Sequence, residues 1–285
     1  MNKYYDEIMQ LKEGDELVAL VKKWEILSGN IKNYPTDLPV LLPDMLWVAK
    51  SGVGQTRLLR LLSEYLASKG NLMDFYGDVK FFEFVLGYCK PDVEFTEIQR
   101  LMCEVSNAAG FRNEFRGIMR IDVNEWINHY EEKYFADFCE YLAANSEKWL
   151  IVLAVDTDDE KKIHNLEAFL SMYLRLEKIT LSMPKTEDLF EYIERKLSGY
   201  GLTLSDDGKQ LLTATINKLR KNRYFDGFKT IRLLCQEIAY TVFSKENLVS
   251  YNLTAKDLAD FAPDSEFVSK TEINFEKTRK IGLVE

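Results

Sequence analysis

The chain has 285 residues, a net charge of −9 and a pI near 5.1, and 46% of its residues are hydrophobic. This composition is typical of a globular protein with room for more than one domain, and it excludes a disordered chain. The excess of carboxylates disfavours non-specific binding to nucleic acid, which depends on Lys and Arg neutralising phosphates. No apolar stretch reaches the length of a bilayer crossing and the amino terminus has no signal-peptide character, so we expect a cytoplasmic protein without a membrane partner.

Side chains that build metal and thiol sites are few. Two histidines, His129 and His164, are too few for a histidine-based triad or a multi-histidine metal centre. Four cysteines are widely separated: Cys89, Cys103, Cys139 and Cys235. Without a Cys-x-x-Cys pair we expect reduced core residues rather than a zinc site or disulfides. The densest basic run, residues 218–223, is typical of a solvated helix end, with a local basic patch as the alternative.

In chain order, residues 1–35 predict a helical lead-in. Its apolar face consists of Leu17, Leu20, Val21 and Trp24. Prolines then predict an extended segment that leads into a short apolar strand at 45–48. Residues 57–68 carry leucines at helical spacing and predict the helix that follows.

The middle of the chain alternates strands with helices. Further strands are predicted at 79–88, 117–122, 149–155 and 178–181. A helix after Pro91 has an apolar face of Phe95, Ile98, Met102 and Val105. One at 124–145 carries Trp126, Tyr130, Tyr134, Phe138 and Leu142, and one is predicted at 163–174. Five strands separated by helices predict an α/β domain with a doubly wound parallel sheet and helices on both faces.

Beyond Pro184 the pattern indicates helices only. Helices are predicted at 187–197, from a Ser205 cap, at 228–243, and briefly after Thr254. The predicted division is therefore a lead-in at 1–37, an α/β domain at 38–184, a small all-helical domain at 185–262 and a carboxyl-terminal arm at 263–285.

The segment between the first strand and its helix has the pattern of a phosphate-binding loop. It reads Ala49-Lys50-Ser51-Gly52-Val53-Gly54-Gln55-Thr56 against G-x-x-x-x-G-K-[ST]. Gly52 and Gly54 supply a permissive backbone and Thr56 supplies the hydroxyl that reaches magnesium. Gln55 replaces the lysine and carries no charge, and charge-assisted contacts are about twice as strong as neutral ones. An ordinary glycine-containing turn is the alternative.

A P-loop α/β domain followed by a helical lid domain resembles the AAA+ ATPases. The likeness is closest to the CbxX/CfqX-type branch, whose lid opens with a phrase like Tyr200-Gly201-Leu202-Thr203-Leu204-Ser205-Asp206. The resemblance implies a P-loop NTPase-type fold, ATP or ADP with magnesium as cofactor, and assembly into homo- or hetero-oligomers. It covers residues 38–262.

The resemblance also assigns roles residue by residue. Asp122 stands where the Walker B aspartate holds magnesium together with Thr56, but Val123 stands where a glutamate polarises the attacking water. Glu125 is a candidate substitute, although it lies in the following helix, from which its carboxylate would point elsewhere. Two residues that contribute to phosphoryl transfer are therefore replaced, the loop lysine by Gln55 and the glutamate by Val123.

Further roles fall on polar residues near strand and helix ends. Asp156 or Thr157 takes the sensor-1 position, and Arg175, or Leu174 by an equally good alignment, takes the arginine-finger position. The sensor-2 candidates are Lys229 and Arg232, with solvated helix faces as the alternative. The full nucleotide-binding set implied is Ala49, Lys50, Ser51, Gly52, Val53, Gly54, Gln55, Thr56, Asp156, Lys229 and Arg232.

Loss of the loop lysine and the glutamate predicts little or no ATP hydrolysis, because phosphoryl transfer depends on positioning and electrostatics. The hypothesis is a non-hydrolysing, nucleotide-responsive or scaffolding subunit that regulates or assembles with a protein partner, an active AAA+ subunit being one. The alternatives are a weakly active ATPase that remodels protein or nucleic-acid complexes and is completed by neighbouring subunits, and a structural protein that never meets nucleotide.

Two smaller features leave alternatives open. Lys50 matches the early lysine in the loop of partition ATPases, and it could instead bend back to supply the missing charge in its own site. An aromatic-glycine pair at Tyr76-Gly77 comes before the second strand, where a substrate-threading loop is not expected.

Overall fold

The computed structural model describes residues 3–11, 14–31, 42–69, 81–108, 117–222, 224–244 and 251–259. Its internal contacts divide the chain into two units, Met1–Lys50 with Gln55–Ser182 and Ser51–Gly54 with Met183–Glu285. Four predicted features lie wholly or partly outside the described residues: the extended proline segment before the strand at 45–48, the Tyr76-Gly77 pair, Arg223 of the basic run and the arm at 263–285.

The first unit contains a five-stranded parallel sheet. Its strands are β1 (Asp44–Ala49), β2 (Phe81–Val85), β3 (Gly117–Asp122), β4 (Trp149–Val155) and β5 (Leu176–Leu181). Their order is β2-β3-β4-β1-β5, and every neighbouring pair is parallel. All residues of β1 and β4 are buried, as expected of strands covered on both faces. The predicted α/β sheet is therefore confirmed.

Helices cover both faces of this sheet. They are α1 (Lys3–Met9), α2 (Asp15–Ile31), α3 (Gln55–Ser68), α4 (Pro91–Ala108), α5 (Lys133–Ala143) and α6 (Glu160–Leu170). The chain moves from β1 to the edge strand β2 through α3 and returns through α4, α5 and α6. Crossover connections between parallel strands are right-handed. Since the connection through α3 crosses the sheet in the opposite direction to those through α4, α5 and α6, α3 lies on one face and these three helices lie on the other.

Packing agrees with this assignment of faces. Alternate residues of the strands share one core with α4, α5 and α6. The helices contribute Ile98, Phe138 and Leu166 to it, among others. Helix α3 lies apart from that core, where its Tyr65 packs edge to face on Trp24 of α2 at 5.7 Å between ring centroids. The predicted apolar face of the lead-in is buried at all four positions.

The predicted helix at 124–145 is wrong in its first half. A single 3-10 turn, Asn124–Trp126, is followed by turns, and α5 begins only at Lys133. Trp126 stacks on Phe135 with ring centroids 5.3 Å apart. A continuous helix would separate these two positions by about 13 Å along its axis. Burying both aromatic rings in one core therefore overrides the helical spacing of the sequence.

The second unit is mainly helical. It contains α7 (Thr186–Gly199), α8 (Asp206–Leu219), α9 (Gly227–Phe243) and α10 (Ala255–Leu258). Their buried aliphatic residues form a separate core that includes Leu189, Ile216 and Leu234. The hydroxyl of Ser205 accepts the backbone N–H of Gly208 at 3.3 Å, as a helix cap does.

A short parallel ladder joins this unit's helices, and the sequence did not predict it. It pairs β6 (Thr203–Leu204) with β7 (Asn252–Leu253). Gly201 precedes it with φ of +78°, a left-handed conformation that glycine adopts without strain.

The cysteine prediction is half right. Cys139 and Cys235 are buried and unpaired, whereas Cys89 and Cys103 are exposed, because they lie on a loop and on the outer side of α4. Across the described ranges, no helix is both long and apolar enough to cross a membrane.

Candidate functional site

The carboxyl edge of the sheet has a switch point between β1 and β4. These strands are neighbours, but the chain leaves β1 toward α3 on one face and leaves β4 toward α6 on the other. In open parallel sheets, ligands bind in the crevice that such a divergence creates. The segment 50–54 and residues 156–159 follow these two strands.

The loop after β1 has the backbone of a tight strand-to-helix turn. Gly52 and Gly54 have φ values of +79° and +93°, in the left-handed region that glycine tolerates best. Helix α3 begins at Gln55, directly after the second glycine. The unpaired N–H groups of a first helical turn can meet an anion. The order of strand, loop and helix is therefore the one that the motif requires.

Gln55 is fully engaged with protein atoms. Its Nε2 donates to the carbonyl oxygens of Ala49 and Lys50 at 3.2 and 3.3 Å. Its Oε1 accepts from Nε of Arg120 at 2.9 Å. The amide at the lysine position thus ties the loop to β3 and leaves no charged group pointing from this position.

Four further side chains complete a network around Gln55. Thr56 donates its hydroxyl to the Glu83 carboxylate, with distances of 3.0 and 3.2 Å to the two oxygens. The Arg120 guanidinium lies 3.5 Å from Glu83 and 4.0 Å from Asp122. We name Gln55, Thr56, Glu83, Arg120 and Asp122 the Arg120 cluster.

The sheet itself assembles this cluster. Glu83 of β2 is the register partner of Arg120 on β3. Arg120 and Asp122 are two positions apart on one strand, so their side chains leave the same face. This is the α3 face, since the intervening Ile121 belongs to the core on the opposite side. The Arg120 side chain is only 14% exposed, so its charge depends on the carboxylates beside it.

Asp122 and Val123 have contrasting environments. Burial raises the pKa of Asp122 above its usual range, against the opposing effect of the Asn124 backbone N–H, which donates to its Oδ1 at 3.0 Å. Val123 is completely buried in the core. The position at which the resemblance leads us to expect a water-activating carboxylate therefore lies in the protein interior.

The cluster does not fit a magnesium ion as it is arranged. Magnesium prefers an octahedral set of oxygen ligands at about 2 Å. Of the two residues proposed to hold it, Thr56 donates to Glu83 and Asp122 has a guanidinium 4.0 Å away. A divalent cation entering between them would meet the positive charge of Arg120 at close range.

Lys50 points to a different partner. Its Nζ lies 2.5 Å from Oδ2 of Asp158, and this hydrogen bond raises the pKa of Lys50. Both side chains are at least half exposed, so the pair adds little to stability. Asp156 is exposed, with its backbone N–H donating to Asn124, and Thr157 accepts from the Asp159 backbone N–H.

The candidates for the enzymatic roles are not brought together. Glu125 accepts the backbone N–H of Tyr88 at 2.6 Å, which holds its carboxylate on the β2 side. Arg175 is exposed directly before β5, while Leu174 is buried in the core.

Within the second unit, the amino end of α9 lies against the loop apex. The Phe228 N–H donates to the Gly52 carbonyl at 2.9 Å. A Cβ atom at Gly52 would lie 2.0 Å from the Asp226 carbonyl oxygen, so only glycine fits. Lys229 lies 3.3 Å from the buried Asp226 carboxylate, and Arg232 is exposed. The sensor-2 candidates thus follow a helix start that already contacts the loop.

Sequence reasoning missed Glu83 and Arg120. Each is a charged residue between apolar neighbours within a strand, Phe-Phe-Glu-Phe-Val and Ile-Met-Arg-Ile. A charge in the middle of a covered parallel strand is unusual, and at Arg120, which is 14% exposed, it was the available signal.

Comparison with known proteins gives weak structural similarity. No family model and no curated protein matches the chain. The chain is similar to the Thermotoga maritima RuvB Holliday junction branch migration motor, with a TM-score of 0.48, 14% identity, and coverage of 93% of this chain and 72% of that chain. Two mutants of the same RuvB also score 0.48, at 12% and 13% identity, covering 87% and 89% of this chain and 71% and 67% of theirs.

Proposed function

We propose that this chain is a P-loop protein of AAA+ type, of the CbxX/CfqX-like branch, that does not turn over ATP and acts as a scaffolding or regulatory subunit for a protein partner. One observation carries the proposal. The side chains at the positions for phosphate and magnesium are bonded to one another in the Arg120 cluster. The four-part division at 1–37, 38–184, 185–262 and 263–285 belongs to the same proposal.

The chemistry of phosphoryl transfer explains why turnover is not expected. Catalysis of this reaction rests on positioned charges around the transferred phosphoryl group. Gln55 supplies no cation at the loop, and Val123 supplies no carboxylate at the strand end. Groups of this kind are typically worth roughly 10²-fold or more in rate, and their contributions multiply when they act independently.

Nucleotide contact, where it occurs, is proposed to be weak. The residues proposed to contact the nucleotide are 49–56 of the loop, Asp156, Lys229 and Arg232. The loop's glycines and the start of α3 favour an anion. Lys50, however, is paired with Asp158, and Asp156 adds a negative charge after β4. We therefore propose that assembly with a homologous or heterologous protein subunit does not require ATP hydrolysis.

Phosphate release by the 285-residue chain with Mg-ATP tests the proposal. We expect the rate to equal that of a Gln55→Ala variant and of buffer. Sustained release by the parent that disappears in Gln55→Ala would overturn the proposal. Light scattering on the same samples, with and without Mg-ATP, should give one unchanged mass.

A further inference from the structure

Building on the proposed function, we infer that Arg120 is a resident cation that takes the place of both the loop lysine and the magnesium ion. It closes the site to magnesium-bound nucleotide, and it is the reason that position 55 holds glutamine. The residue is therefore a determinant of binding specificity rather than a catalytic residue.

The first step is the match between Arg120 and Gln55. The guanidinium Nε donates to Oε1 of Gln55 at 2.9 Å. A lysine ammonium has three donors and no acceptor, so it could not receive this hydrogen bond. Lysine at position 55 would also set a second positive charge beside a guanidinium that is 14% exposed. Glutamine satisfies Arg120 at one end and the loop carbonyls at the other.

The second step is the place of the guanidinium between carboxylates. Glu83 and Asp122 lie 3.5 and 4.0 Å from its terminal nitrogens. With Thr56, these are the oxygen atoms that a divalent cation on this face would use. The guanidinium is held in this place by its hydrogen bond to Gln55 and by the two carboxylates, and the Arg120 side chain is only 14% exposed. A metal ion would have to displace a cation that belongs to the chain.

The third step concerns the Thr56 hydroxyl. It donates to the Glu83 carboxylate, and Glu83 is at the same time the ion-pair partner of Arg120. Removing Arg120 would leave Glu83, Asp122 and Thr56 as an oxygen-rich set on one face of the sheet. Such a set is what magnesium or manganese binds.

These steps define a test by reverse substitution. Four versions of the 285-residue chain are compared: the parent, Gln55→Lys, Gln55→Lys with Arg120→Ile, and Gln55→Lys with Arg60→Ile. Arg60 is an exposed arginine on α3 whose loss changes the net charge equally. Calorimetric titration with Mg-ADP measures affinity, and a parallel titration with Mn²⁺ alone measures metal binding.

We expect the protein with Gln55→Lys and Arg120→Ile to bind Mg-ADP at least tenfold more tightly than Gln55→Lys or the Arg60 control. It should also gain Mn²⁺ binding. Equal affinity for Mg-ADP in Gln55→Lys and in Gln55→Lys with Arg120→Ile would overturn the inference. Tight Mn²⁺ binding by the parent would overturn it as well. If Arg120→Ile prevents folding, as judged by circular dichroism, Arg120→Gln replaces it and the same tenfold criterion decides.

Failure of this inference and failure of the proposed function give different results. Equal affinities across the variants with no phosphate release by the parent would remove only the role of Arg120. Phosphate release by the parent that depends on Gln55 would remove the proposed function itself.

Discussion

Replacing Asp44 with Asn should remove a pH-dependent cost from the sheet. Asp44 is 4% exposed at the start of β1, and its Oδ1 accepts the N–H of Ile151 on β4 at 2.9 Å. Burial raises its pKa from 3.8 to about 7, although the hydrogen bond acts in the opposite direction. Ionising this carboxyl in the folded protein therefore costs on the order of 4 kcal/mol.

The direction of the pH dependence follows from proton binding. Between about pH 4 and pH 7 the folded state holds a proton on Asp44 that the unfolded state has lost. The free energy of unfolding therefore falls as the pH rises through this window and levels off above it. Asn keeps the acceptor for Ile151 without a charge. Relative to the parent, Asp44→Asn should gain about 2 to 3 kcal/mol between pH 5 and pH 8.

Tryptophan fluorescence during urea unfolding measures this difference in the first unit alone. All four tryptophans of the chain, Trp24, Trp47, Trp126 and Trp149, lie there. The exposed Asp137→Asn on α5 serves as the control for loss of a carboxylate and should follow the parent. Parallel pH profiles for Asp44→Asn and the parent would refute the reasoning.

Two further substitutions test the loop and the strand end. Gly52→Ala should destabilise the protein by about 1 to 3 kcal/mol, because φ is +79° and the new Cβ would lie 2.0 Å from the Asp226 carbonyl oxygen. Thermal unfolding followed by circular dichroism checks this against Gly29→Ala in α2. A Cβ added at Gly29 would meet no atom within 4 Å outside its own stretch of helix, so a small stabilisation is expected there. Val123→Glu should cost about 3 kcal/mol or more in urea unfolding and restore no phosphate release, because the side chain is fully buried. A soluble, equally stable Val123→Glu protein would show that this strand end is not closed.

Much of the fold could be predicted because its signals are local. The apolar runs at 117–122 and 149–155 coincide with β3 and β4, and the Ser205 cap marks the start of α8. The helix at 124–145 failed because Trp126 meets Phe135 through a turn, a contact that spacing along the chain cannot reveal.

The site was predictable only in part, for the same reason. Gln55 and Thr56 could be identified from a contiguous motif. Glu83 and Arg120 join them through the register of β2 on β3, and that pairing brings together residues 37 positions apart. The sequence therefore showed that the loop lacks the lysine at position 55, but not that Arg120 lies beside the glutamine found there.

Calorimetric titration of the unmodified chain with Mg-ADP tests the central claim most directly. A site closed by the Arg120 cluster predicts no saturable heat at micromolar concentrations of Mg-ADP. Saturable micromolar binding by the unmodified chain would contradict this account.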